Sequence, residues 1–160
     1  MFTDNPTLRT HYQFMSQAYY EAEKALKMGE IPVGAIIVHQ NMIIGRGHNM
    51  VESLGDPTAH AEMVAITAAC ESLGQKYLQE CTLYVTLEPC PMCAGALVWA
   101  KMNTIVFGAS DDKAGSCGTL LNIAQHTGLN HRIEIIQGIM ETDCSEILQR
   151  FFKSVRHRTK

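Results

Sequence analysis

Residues 82–100 read TLYVTLEPCPMCAGALVWA, and the two halves of the stretch follow different rules. TLYVTL alternates and is rich in β-formers, which predicts a strand. EPCPMCAGALVWA follows with no linker, and it carries a proline where a helix begins, a position at which the missing N–H costs nothing. A strand that feeds directly into a helix is the building unit of an α/β domain. The same junction holds the only CxxC of the chain, Cys90 and Cys93.

Working outward, Met15, Ala18, Tyr19, Ala22, Ala25 and Leu26 recur at helical spacing before Gly29 and Pro32, so a first helix is expected over residues 8–28. VGAIIVHQNMIIGRGHN offers two short runs rich in β-branched residues joined at residues 39–41, a hairpin. A second helix is expected from Asp56 to Leu73, stopped by Gly74. NTIVFG and RIEIIQG read as two more strands, LLNIAQH as a short helix and ASDDKAGSCG, residues 109–118, as an ordered loop. Ile147, Leu148, Phe151, Phe152 and Val155 mark one face of a terminal helix. The order predicts a three-layer α/β domain around one five-stranded sheet.

With 160 residues, 46% of them hydrophobic and only 18% charged, the chain fits one domain over residues 1–160 with a core of its own. Six cysteines at irregular spacing do not form a secreted disulfide framework, and no basic segment followed by an apolar run opens the chain. A soluble, cytoplasmic protein is expected. A net charge of −3 argues against indiscriminate coating of nucleic acid. Yet Arg150, Lys153, Arg156, Arg158 and Lys160 put five of the thirteen basic residues into the last eleven positions. That cluster is either the solvated end of a helix or a local phosphate-binding strip.

The CxxC has four readings: half of a structural zinc site, a redox pair, two core cysteines, or part of a catalytic metal site. Cys70, Cys81, Cys117 and Cys144 supply no second close pair for a four-cysteine site. One histidine with two thiolates would leave zinc a fourth position for water, the mark of a catalytic site. His60 and Glu62 in DPTAHAEMVAI, residues 56–66, supply the histidine and a carboxylate free to move a proton. Two residues apart, their azimuths on a helix differ by roughly 200°. Both reach one point only if that point lies beyond the helix end, so two helix N-termini are expected to converge on the metal.

HAE, residues 60–62, with PCPMC, residues 89–93, carries the signature of zinc deaminases acting on nucleobases. Together with IPVGAIIV, GHN, FGASDDKAG, LNIAQHTGLNHR and the paired phenylalanines near the end, it makes nearly the whole chain resemble bacterial tRNA-specific adenosine deaminases. These are a group of the cytidine deaminase-like superfamily. The resemblance implies an α/β/α domain with a central mixed five-stranded sheet. It implies one Zn2+ per chain held by His60, Cys90 and Cys93, and attack of zinc-activated hydroxide on C6 of the wobble adenosine, with Glu62 as proton shuttle and inosine as product. It further implies that Asn49 hydrogen-bonds the base and that the Ala61 backbone faces the pocket. Asp111, His126 and Phe151 would meet the flipped nucleotides. The expected partners are the tRNA anticodon loop and a second copy of the chain; neither a membrane nor DNA is expected.

Local roles compete with three of these assignments: Asp111 capping a turn, His126 capping the short helix, Phe151 in the core. Thr127 and Ser110 depart from the pattern common in the family, and both fall on the expected RNA surface. The nearest rival is a free-base guanine or cytosine deaminase, which shares PCPMC. A second rival is a catalytically silent RNA-binding zinc protein, for which Glu62 has no use.

Overall fold

The computed structural model describes residues 5–158, so Lys160 of the basic strip lies outside the described residues. The strand–helix junction forms as the sequence predicts. β3 (Cys81–Leu87) runs into α4 (Pro91–Trp99), with Pro91 in the first turn. β4 (Thr104–Ala109) returns parallel to β3, and β5 (Glu134–Gln137) lies parallel to β4. On the other side, β1 (Gly34–His39) is antiparallel to both β3 and β2 (Met42–His48). The result is one mixed five-stranded sheet in the order β2-β1-β3-β4-β5.

The period of two along the central strands separates the layers. Ile36, Val38, Tyr84 and Val106 face one way and pack with Met15 and Ala18 of α1 (Pro6–Lys27) and Cys144 of α5 (Glu141–Arg158). Ala35, Ile37, Leu83, Val85, Ile105 and Phe107 face the other, against α3 (Ala61–Leu73) and α4. Helices thus cover both faces of a sheet whose middle strands are buried throughout, and the architecture is α/β/α. The hairpin between β1 and β2 turns on Gln40 and Asn41, both at positive φ (49° and 60°), the pattern of a type I′ turn.

α3 lies unusually close to β2 because β2 offers it glycines. A Cβ on Gly45 would stand 2.5 Å from the Ala65 carbonyl oxygen, and one on Gly47 would stand 2.2 Å from that of Ala61. Facing them, Ala61, Ala65 and Ala69 are fully buried. Backbone packs on backbone here, and the start of α3 is held at a fixed height over the sheet. On the opposite face, buried Glu21 of α1 pairs with Lys24 at 3.0 Å, with Arg46 of β2 at 3.3 Å, and faces His48 at 3.4 Å.

Two expectations need correction. The helix expected from Asp56 begins only at Ala61, and a separate short helix, α2 (Val51–Leu54), precedes it. Asp56 stands before a proline, which disfavours the helical region, and its Oδ1 accepts from the Thr58 N–H and hydroxyl instead, at 2.8 and 2.7 Å. LLNIAQH is not a helix. Its amides are drawn elsewhere: those of Leu120 and Leu121 donate to the Gly115 carbonyl, and that of Ile123 donates to Ser116. Few amides are left for a helical i→i−4 ladder. The terminal helix forms as expected, and its apolar face outruns the body of the protein: Ile147 is buried, Phe151 half-buried, and Phe152 and Val155 exposed.

Candidate active site

His60 is not in the first turn of α3 but caps it, with extended backbone (φ −71°, ψ 155°). Cys90 likewise caps α4 (φ −72°, ψ 173°), and Cys93 sits in that helix's first turn. Neither His60 nor Cys90 makes the usual side-chain capping bond of a helix N-terminus. The two helix ends meet. His60 Nδ1 lies 3.6 Å from Cys90 Sγ and 3.6 Å from Cys93 Sγ, and the three donors form the one such cluster among the described residues. Zinc bonds of about 2.0 Å to nitrogen and about 2.3 Å to sulfur, opened at the tetrahedral angle, place those atoms about 3.6 Å apart. The residues present fit the ion.

The two sulfurs are not equivalent. The Cys93 thiol donates to Cys90 and holds the Cys90 thiol down to about 4, against the effect of burial; His60 lowers it further. Donating to Cys90, and then burial, push Cys93 up. A thiolate between two helix N-termini is the ligand form a metal requires.

Glu62 follows at the second helical position of α3 and is 4% exposed. Burial pushes its carboxyl up to about 7; its own backbone N–H pulls it down and the Cys90 charge pushes it further up. A carboxyl poised near neutrality takes and gives a proton with little cost either way.

Around this centre opens a pocket of about 740 Å³. Asn49, His60, Ala61, Glu62, Cys90, Asp111 and Phe151 all line it, drawn from five separate segments of the chain. Cys93 lies behind His60, fully buried. His126 is not brought to this pocket; it is exposed, and its Nδ1 accepts from the Gly128 N–H at 3.0 Å. Asp111 does cap a turn, its Oδ1 accepting from Lys113 and Ala114 at 2.9 and 3.2 Å, yet it still faces the pocket. Phe151 packs edge-on against Phe152, and both stand in the pocket wall with Val155.

Two buried carboxylates in the lining escaped sequence reasoning. Glu88, 2% exposed, accepts from the amides of Asp111, Cys117 and Thr119 at 3.0–3.1 Å, so the loop after β4 is wrapped around it. Glu30, fully buried, holds α2. The only signal for Glu88 is its place in LEPC between strand and helix, and Glu30 after the helix-ending Gly29 looks like an ordinary loop charge.

A family model described as MafB19-like deaminase matches residues 9–156. The chain belongs to that family. This deaminase is 46% identical over 147 residues to the tRNA-specific adenosine deaminase of Bacillus subtilis (strain 168), covering 92% of this chain and 91% of that protein. It superposes with a TM-score of 0.82 and 38% identity on a solved structure from work on A-to-I editing by tRNA:A34 deaminases at the wobble position, covering 84% of this chain and 98% of that one. A guanine deaminase from Bacillus subtilis matches less well as a structure: TM-score 0.60 and 41% identity, over 67% of this chain and 69% of that one.

Proposed function

We propose that this deaminase converts the wobble adenosine of a tRNA anticodon loop to inosine, with His60, Cys90 and Cys93 holding one zinc ion. The observation that carries the reading is Glu62, a buried carboxyl lining the same pocket as His60 and Cys90 of a three-donor cluster of zinc dimensions. Zinc, when bound, supplies the Lewis acidity that makes water a nucleophile near neutral pH.

The residues of the chain do the rest. Glu62 takes one proton from the attacking water and delivers it to N1 of the adenine ring as the oxygen adds to C6; it then carries the remaining proton of that oxygen to the amine, the C6–N bond breaks, and ammonia leaves. The Asn49 amide and the Ala61 backbone hold the base edge. Leu87 and Val33 line the apolar interior, while Phe151 and Phe152 offer flat faces on which a base stacks. A pocket of about 740 Å³ is more than one base fills and suits a nucleotide extruded with its neighbours. Anticodon bases are already unpaired, so extrusion costs less than from a duplex.

The proposal includes a second copy of the chain. Trp99 is 80% exposed, and Leu120 and Leu121 are 56% and 47% exposed, apolar surface that a partner copy would cover. No helix among the described residues is long and apolar enough to cross a membrane, and a cytoplasmic place suits a tRNA substrate. Incubation with tRNA bearing an anticodon adenosine, and separately with free guanine, tests the reading. Inosine in the tRNA supports it; xanthine from guanine with unchanged tRNA would replace it by the free-base alternative.

A further inference from the structure

Glu30 sits in the turn between α1 and β1, fully buried, and His48 acts on it through space. Among the described residues its hydrogen bonds go to α2. Oε2 accepts from the Glu52 N–H at 3.2 Å, and Oε1 accepts from the Ser53 N–H and the Ser53 hydroxyl at 2.7 Å each. These are amides of the helix's first turn, which have no partner inside it. The residue in the capping position, Met50, offers no side-chain bond, so the cap is supplied by a carboxylate more than twenty positions away in sequence.

α2 needs such a tether. It has only four residues and buries none of its side chains; Leu54, its largest apolar one, is 59% exposed. Packing therefore does not set its position. Two residues before it stands Asn49, 6% exposed and facing the pocket, whose Oδ1 accepts from the Val51 N–H at 3.4 Å. That orientation leaves the Nδ2 side of the amide for the pocket. The same segment reaches the metal ligands: the Met50 N–H donates to the carbonyl of Ala59, the residue before His60, at 3.0 Å.

We propose that Glu30 is a positioning residue for base recognition: by capping α2 it fixes the backbone that aims the Asn49 amide at the base. The proposal rests on the reading of Asn49 as a base contact. Burying a carboxylate is costly unless it is fully hydrogen-bonded, and here the bonds it gains all fall on the one segment that carries Asn49. Glu30→Gln would keep one accepting oxygen but turn a donating NH2 toward the Glu52 or the Ser53 amide, which can only donate, and α2 would shift.

A double-mutant cycle tests this: wild type, Glu30→Gln, Asn49→Ala and the double variant, each assayed for kcat and KM on an anticodon stem-loop, with zinc content and melting temperature measured alongside. Each single change is expected to lower kcat/KM tenfold or more with zinc retained. The double variant is expected to be no more than about threefold worse than Asn49→Ala alone, because Glu30 then has nothing left to aim. Losses that multiply would show a merely structural role and overturn the proposal while leaving Asn49 as a base contact. A normal kcat/KM for Asn49→Ala would overturn the base-contact reading itself, and the proposal with it. If Glu30→Gln does not fold, Ser53→Ala replaces it, removing only the hydroxyl bond. A two- to fivefold loss that vanishes in the Asn49→Ala background supports the proposal; an equal loss in both backgrounds, or none in either, overturns it.

Discussion

Gly47 faces the Ala61 carbonyl so closely that a methyl group added to its Cα would stand 2.2 Å from that oxygen and 2.7 Å from the Ala65 nitrogen. Both atoms are backbone, and neither can swing aside. Gly47→Ala is therefore expected to lift the start of α3, with His60 capping it and Glu62 in its first turn, away from the sheet. Overpacking of this kind costs about 1–3 kcal/mol or more, a fall of several degrees in melting temperature for a chain of this size. Zinc affinity is expected to drop too. Calorimetry and metal analysis check this, and a variant that melts and loads like wild type would contradict the close packing.

Gly115 makes a comparable contact in the loop after β4, where a Cβ would lie 2.3 Å from Glu88 Oε2 and 2.5 Å from the Asp111 carbonyl oxygen. Gly115→Ala is expected to loosen the loop from Glu88 and displace Asp111 from the pocket wall. The signature is a raised KM for tRNA at full zinc content. If KM stays unchanged, the loop does not depend on this carboxylate for its place.

The paired 3.6 Å distances from His60 Nδ1 to the two sulfurs lead to a metal prediction. The purified protein is expected to hold about one zinc per chain. Cys93→Ser and His60→Ala are expected to lose most of it, and a chelator is expected to abolish activity that added zinc restores. An active preparation shown to be metal-free would end the zinc reading.

Glu62→Gln keeps the volume and removes the titrating group. Turnover is expected to fall about 10²–10⁴-fold, the usual contribution of a positioned acid–base residue, while zinc content stays at the wild-type level. Near-normal turnover would take Glu62 out of its role.

The end of α5 carries Lys153, Arg156 and Arg158 beyond the Phe151–Phe152 pair. Ending the chain after Phe152 is expected to weaken tRNA binding severalfold, and to flatten its dependence on salt, with zinc binding unaffected. Equal affinities for the two chains at every salt concentration would return this stretch to the role of a solvated helix end.

Most of the architecture was legible locally. The alternation in residues 82–87, Pro91 at the head of α4 and the helical spacing from Met15 to Leu26 each act through neighbours in sequence, and each element formed where that pattern lay. LLNIAQH failed the same test because its amides bond back to Gly115 and Ser116, while the amides just before it go to Glu88, contacts that periodicity does not report.

The sequence by itself named the donors of the proposed site. A histidine and two cysteines that come together as a three-donor cluster suit zinc, because donor type and donor number select the ion, and the glutamate beside them is not needed as a ligand. Tertiary structure alone decided how the site is held. His60 is a cap rather than a first-turn residue, α5 overhangs the pocket, and Glu30 and Glu88 fix α2 and the loop around Asp111. The reason is range. Ligand chemistry is a property of side chains, whereas a carboxylate that caps a helix more than twenty residues away becomes a cap only when the sheet brings the two together.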